Sequence, residues 1–185
     1  MNLILTILTV LSTFLMNLEQ KTLRSDFVVT VTEAANAPMN YPGTLVMQGE
    51  QFKLTMFDIE AAYDGQTMYM YSEQTDELTL TNPSRQELIE SNPFLFAKTM
   101  VGVCDLTERE EGEHTIVTLT PKDQSAGINR FVLKLRNADL MPLQLEIKEG
   151  KKTSILKMKE PAFVTTPQQY VLTPGKDTFV NDMRL

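Results

Sequence analysis

From Phe27 onward apolar and polar residues take turns along the chain. "DFVVTVTEA" is the first short run of this kind. "PGTLVMQGEQFKLTMFDIEAAYDGQTMYMYS" supplies three or four more, broken at Gly49-Glu50, at Asp58 and at Asp64-Gly65, and "DELTLTNP" follows. After an interruption come "HTIVTLTPKD", "INRFVLKLRNADLMPLQLEIKEGKKTSILKMKEP" and "QQYVLTPG". Alternation with period two between turn-forming residues predicts half-buried strands. Connections as short as Asn137-Ala138-Asp139 and Gly150-Lys151-Lys152 join only antiparallel neighbours, because a parallel pair needs a long crossover. The pattern predicts a meander of many strands in one sheet with one wet and one greasy face. Phe52, Leu54 and Met56 oppose Gln51, Lys53 and Thr55, and Phe131, Leu133 and Leu135 oppose Arg130, Lys134 and Arg136. Leu143, Leu145 and Ile147 oppose Gln144, Glu146 and Lys148 in the same way.

Two stretches break the alternation. In residues 82–103, "NPSRQELIESNPFLFAKTMVGV", Ser84 and Glu87 stand at capping-box spacing for a short helix. Asn92-Pro93 ends it, and "FLFAKTM" begins a second. The other stretch, "MNLILTILTVLSTFLMN", carries no charge until Glu19. It matches the apolar heart of a secretory signal and is short for a membrane span. Thr6, Thr9, Ser12 and Thr13 also fall at roughly helical spacing, so the same residues read as the start of a buried helix, Ser12–Arg24. Both readings stand together as a signal-like segment, 1–16, running into a single domain, 17–185. An extended antiparallel sheet with so few helices uses them to cover its greasy face.

The run "TMYMYS" is apolar or aromatic at nearly every position, which raises the question of what covers its second face. Met68 and Met70 are assigned to a cavity face and Tyr69 and Tyr71 to the convex surface or rim, where a hydroxyl reaches water. The opposite parity is the alternative. The chain holds 11 Met, 9 Phe and 5 Tyr and no Trp, and methionine suits irregular or changing partners. Ordinary core packing explains any one of these methionines. Met47, Met56, Met68, Met70 and Met100 cluster near the aromatic hairpins, which points to an adaptable apolar pocket.

Composition narrows the function classes. In 185 residues, 24 acidic side chains against 17 basic give a net charge of −7, with no cluster of Lys and Arg to hold a phosphate backbone. Nucleic-acid binding is therefore not expected, and any lipid contact should be apolar. The one cysteine, Cys104, permits no internal disulfide and reads as a small buried residue; with no cysteine in the first stretch, the protein is not expected to be a lipoprotein itself. The one histidine, His114, reads as a solvated loop side chain. No catalytic or metal-ligand motif is present, and Glu108, Glu110, Glu111 and Glu113 read as a solvated hairpin tip. No enzyme activity and no cofactor are expected, a hydrolase with scattered carboxylates being the outlying alternative.

The order of elements resembles the LolA-like periplasmic carriers of outer-membrane lipoproteins. The pieces that carry the resemblance are a helix leading into "SDFVVTV", then "PGTLVMQGEQFKLTM", "YDGQTMYMYSEQTDELTL", "NPFLFAKTM", "TIVTLTPKD…INRFVLKLRN" and "YVLTPGKDTFVND". They span about Leu11 to Asp182. The resemblance implies an α+β fold: an incomplete, strongly curved antiparallel β-barrel, a half-barrel, with a lid of short helices on its concave face. It implies a monomeric carrier that shields lipoprotein acyl chains while crossing the periplasm. Its partners would be the acylated cargo, an inner-membrane ATP-driven exporter, and an outer-membrane acceptor or the membrane itself. The candidate lipid-binding residues are Met47, Phe52, Leu54, Met56, Met68, Met70, Leu88, Phe94, Phe96, Met100, Leu133 and Leu145. Family members carry an arginine just before the strand matching Phe52–Met56 that helps latch the lid. Here the neighbourhood reads "MQGEQF", so a latch must be built differently. The same half-barrel occurs in envelope-stress sensors, which usually carry a second domain; in 185 residues no second domain is expected.

Overall fold

The computed structural model describes residues 9–34, 36–123, 127–166 and 168–184. Helix α1 (Val10–Gln20) leads into a first meander of β1 (Thr22–Glu33), β2 (Met39–Gln48), β3 (Gln51–Met56), β4 (Ile59–Tyr63), β5 (Met68–Ser72) and β6 (Glu77–Thr81). Helices α2 (Arg85–Ser91) and α3 (Pro93–Met100) follow. A second meander comprises β7 (Cys104–Glu111), β8 (His114–Pro121), β9 (Ile128–Arg136), β10 (Pro142–Glu149) and β11 (Lys152–Val164), and β12 (Phe179–Asp182) comes last. These strands form one open sheet in the order β12-β6-β5-β4-β3-β2-β1-β11-β10-β9-β8-β7. The helices lie on its concave face, giving the α+β half-barrel that the resemblance implies.

The first helix is shorter at its C-terminal end than the expected Ser12–Arg24. Leu23, Ser25 and Phe27 alternate into the core, and Leu23 and Phe27 pair with both β2 and β11, so the chain is already a strand by Leu23. At the other end, Thr9 caps the helix, its hydroxyl accepting from the Ser12 N–H at 3.1 Å. Glu108 on β7 completes that cap from across the sheet, accepting from the N–H groups of Val10 (3.1 Å) and Leu11 (2.8 Å). The acidic run thus has a use beyond that of a solvated tip: a carboxylate satisfies the orphan donors of a helix start and complements its dipole. Residues 1–8, and with them half of the signal-like segment, lie outside the described residues. Among the described residues no helix is long and apolar enough to cross a membrane.

Two further corrections concern the ends of the sheet. "QQYVLTPG" is not a strand; it runs as an extended strap over the convex face, burying Tyr170 and Leu172. The strand lies later, in β12, and pairs with β6 in parallel, the one parallel ladder among the described residues. The long strap is part of the crossover such a pair requires. It also answers the question posed by "TMYMYS". Leu172 joins Ala62, Leu78 and Leu80 in a small convex core, with Tyr69 and Tyr71 packed against it. The tyrosine hydroxyls donate to Asp64 (3.0 Å) and Asp76 (3.2 Å). His114, expected in a loop, is the first residue of β8 and half-buried.

Candidate functional site

Register fixes which side chains meet above the concave face. Leu45 pairs with Leu54, Met47 with Phe52 and Leu54 with Ala61, so alternate residues of β2, β3 and β4 point the same way. Phe27 and Val29 of β1 and Leu156 of β11 continue that face across the sheet centre. Above it sit α2 and α3, joined at Asn92. Ser84 and Glu87 form the expected capping box on α2. Hydrogen bonds from the Ser84 backbone and hydroxyl hold the Glu87 carboxyl below its ordinary pKa. Asn92 does more than end α2. Its side-chain oxygen caps α3, accepting from the N–H groups of Phe94 and Leu95, both at 3.1 Å.

Between this helical pair and the sheet lies an apolar cavity of about 140 Å³. Its floor is Phe27 and Val29 (β1), Leu45 and Met47 (β2), Phe52, Leu54 and Met56 (β3) and Leu156 (β11), and its roof is Ser91 to Phe94. On the other flank of the helices a second groove, about 570 Å³, runs between Ile89, Phe96 and Met100 and the strand residues Ile128 and Ile147. Phe94 separates the cavity from α1 by packing on Phe14 (ring centroids 5.6 Å apart), and Phe96 packs on Phe131 (5.6 Å).

Of the twelve residues singled out from the sequence, Met47, Phe52, Leu54, Met56 and Phe94 line the cavity, and Phe96 and Met100 line the groove. Met68, Leu88, Leu133 and Leu145 are buried in the core and line neither. Met70 has the expected parity, pairing with Ala61 beside Leu54, but the helices do not reach it and it stands 49% exposed at the rim. Phe27, Val29, Leu45 and Leu156 join the site from the structure alone, although the first two alternate within "DFVVTVTEA". Asn92, a helix breaker in the sequence pattern, joins it as well.

The helices are held down by charge at their exposed edge. Arg85 at the start of α2 reaches Glu50 in the β2–β3 turn at 2.7 Å. Lys98 on α3 reaches Glu19 of α1 at 2.6 Å and Glu50 at 3.9 Å. The turn residue is the acid, and the cations ride on the helices. All four side chains are partly exposed, so each pair contributes at most about 1 kcal/mol. The buried Cys104 lies apart from this region, and burial pushes its thiol pKa up, which disfavours a thiolate. Among the described residues no group of three or more His, Cys, Asp or Glu is placed to hold a metal ion.

No family model and no curated protein matches the chain. Solved structures do. An uncharacterized conserved protein from Thermus thermophilus matches with a TM-score of 0.61 at 12% identity, over 93% of this chain and 96% of the other. A chain of the Pseudomonas aeruginosa MucA/MucB complex gives 0.52 at 15% identity, over 86% of this chain and 58% of its own. A LolA superfamily protein from Nitrosomonas europaea gives 0.41 at 8% identity, over 84% and 94%. At these identities the likeness to the Thermus thermophilus protein and to the MucA/MucB chain is one of fold alone.

Proposed function

We propose that the protein is an envelope carrier that shelters the acyl chains of lipoproteins between its concave face and α2–α3. On this reading it works as a monomer in the periplasm, taking cargo from an inner-membrane ATP-driven exporter and delivering it to an outer-membrane acceptor or to the membrane. The observation that carries the reading is the apolar cavity under a helical pair fastened at its rim by exposed ion pairs. A cavity of about 140 Å³ is far too small for a whole acyl chain, so a guest has to lift the helices. Each methylene buried contributes roughly 0.8 kcal/mol. Phe94 already fills part of the space, so a guest gains only the difference between the two burials. A carrier needs that small difference, because it has to release what it binds. Met47 and Met56, unbranched and pliable, suit a lining that repacks.

The test is displacement of a fluorescent fatty-acid probe by a synthetic lipopeptide, with Leu54→Glu beside Leu133→Glu. Leu54 lines the cavity, whereas Leu133 is wholly buried in the core. Lipopeptide displaces the probe from the native protein. Leu54→Glu loses probe binding with a modest fall in Tm, because water reaches a carboxylate under a movable lid, and Leu133→Glu unfolds the domain. A native protein that binds neither probe nor lipopeptide overturns the proposal. A second reading, a lipid-sensing envelope-stress domain, draws on the likeness to a chain of the MucA/MucB complex. Vesicle-to-vesicle transfer of a labelled lipopeptide separates the two: a carrier accelerates it, and a sensor binds without accelerating it.

A further inference from the structure

The cavity is lined by apolar side chains except at Ser91 and Asn92. The Ser91 hydroxyl is committed, donating to the Leu88 carbonyl at 3.1 Å. Asn92 is only 4% exposed. Its N–H donates to the Leu88 carbonyl and its own carbonyl accepts from the Phe96 N–H, each at 3.0 Å. Its Oδ1 accepts the two bonds that cap α3, which fixes the orientation of the amide with oxygen toward the helix. The nitrogen, Nδ2, is buried and has no acceptor among the described residues. A buried donor left unpaired is costly, and capping does not require it, since Asp and Ser cap about as well without that N–H₂. The amide nitrogen is the part of this residue that the fold itself does not use.

We infer that Asn92 Nδ2 is the polar anchor of the cavity, donating a hydrogen bond to the carbonyl oxygen of an acyl guest whose first carbons lie among Phe27, Leu45, Leu54 and Leu156. The inference rests on the carrier reading and adds to it a chemical group and a polarity of insertion. The space fits: about 140 Å³ is close to the roughly 150 Å³ of engineered cavities that admit benzene, enough for a carbonyl and about six carbons. The carbonyl belongs to an ester or amide of a lipid, or to a free fatty acid; all present the same acceptor.

Binding of methyl decanoate, decanoic acid and decane to the whole protein tests this. Native protein binds the ester or the acid about tenfold more tightly than the alkane. Ester above acid assigns the site to esterified or amidated lipid, and the reverse assigns it to free fatty acid. Asn92→Ser keeps an oxygen for the α3 cap without the amide N–H₂, and the ratio of ester to decane affinity falls toward one. Independently of any variant, the Asn92 side-chain N–H₂ resonances of the native protein shift downfield with ester and stay in place with decane. Equal affinity for ester and alkane, or an unmoved Asn92 amide in the ester-bound protein, overturns the anchor and leaves the carrier reading standing. Failure of all three ligands to bind native protein overturns both.

Discussion

The Asp64 carboxylate organises the turn that feeds the tyrosine strand. It accepts from the N–H groups of Gln66 (2.9 Å) and Thr67 (2.8 Å) and from the Tyr69 hydroxyl. Partial burial raises its pKa, and these hydrogen bonds more than offset that, leaving it below the ordinary aspartate value. A depressed folded pKa means the turn's contribution is complete above the unfolded value, near pH 4, and is lost as pH falls through the lower folded value. Titration followed at the Gln66 and Thr67 amides should therefore give a midpoint below that of an unstructured aspartate; a midpoint at or above it refutes the turn's role. Gly43 makes a different demand. A Cβ there would meet the Phe27 ring and the Thr55 carbonyl oxygen inside contact distance, so glycine is what lets Phe27 lie flat across β2 as cavity floor. Gly43→Ala should cost about 1–3 kcal/mol by denaturant unfolding and shrink the cavity. A neutral substitution would mean that the ring turns aside freely. The parity of Leu54 is legible in one strand's alternation. The role of Asn92 is not, because an Asn-Pro pair announces a helix break without saying where the amide nitrogen points.

At the scale of elements, the ion pairs around Glu50 set how readily α2 and α3 lift. Glu50→Lys turns two attractions into repulsions, from Arg85 and Lys98. The change at these exposed sites is about 1 kcal/mol, roughly a fivefold rise in the open population. Amide hydrogen exchange in α2 and α3 should quicken by about that factor while β8 and β9 keep native protection, and high salt should mimic part of the effect. Uniform acceleration across the sheet would show that the helices do not open as a unit. Two elements escape the sequence pattern for one physical reason, that edges need not alternate. Strand β7 has an open edge and carries Glu108, Glu110 and Glu111 where a half-buried strand would show apolar residues. Charges are what keep an open edge from pairing with another copy. The strap has the pattern of a strand because Tyr170 and Leu172 alternate with exposed neighbours, yet they pack onto a sheet face without joining a ladder.

For the whole molecule, the sheet order separates what is local from what is distant. Each hairpin within β1–β6 and within β7–β11 pairs sequence neighbours, which is why both meanders are legible in the alternation. The seam between the halves is not: residues 22–33 of β1 lie against residues 152–164 of β11 in a long ladder. Cavity residues therefore come from both ends of the chain, Phe27 and Leu156 among them, and no local pattern announces that meeting.

That seam has a kinetic consequence. Closing it joins chain segments separated by most of the sequence, so its loop entropy is spent before its contacts form, whereas the hairpins on either side assemble cheaply. Two half-sheets should form early and dock late, with the strap and β12 settling last across the finished convex face. Val28→Ala, in the seam, should slow refolding, by up to about fivefold for a loss of 1 kcal/mol. Leu106→Ala, in the outer β7–β8 hairpin, should leave refolding nearly unchanged and speed unfolding. Stopped-flow folding of the two variants measures this. If the outer hairpin slows refolding while the seam does not, the order is reversed. During synthesis the first half-sheet would then wait, its centre strand unpaired along one side, until β11 emerges.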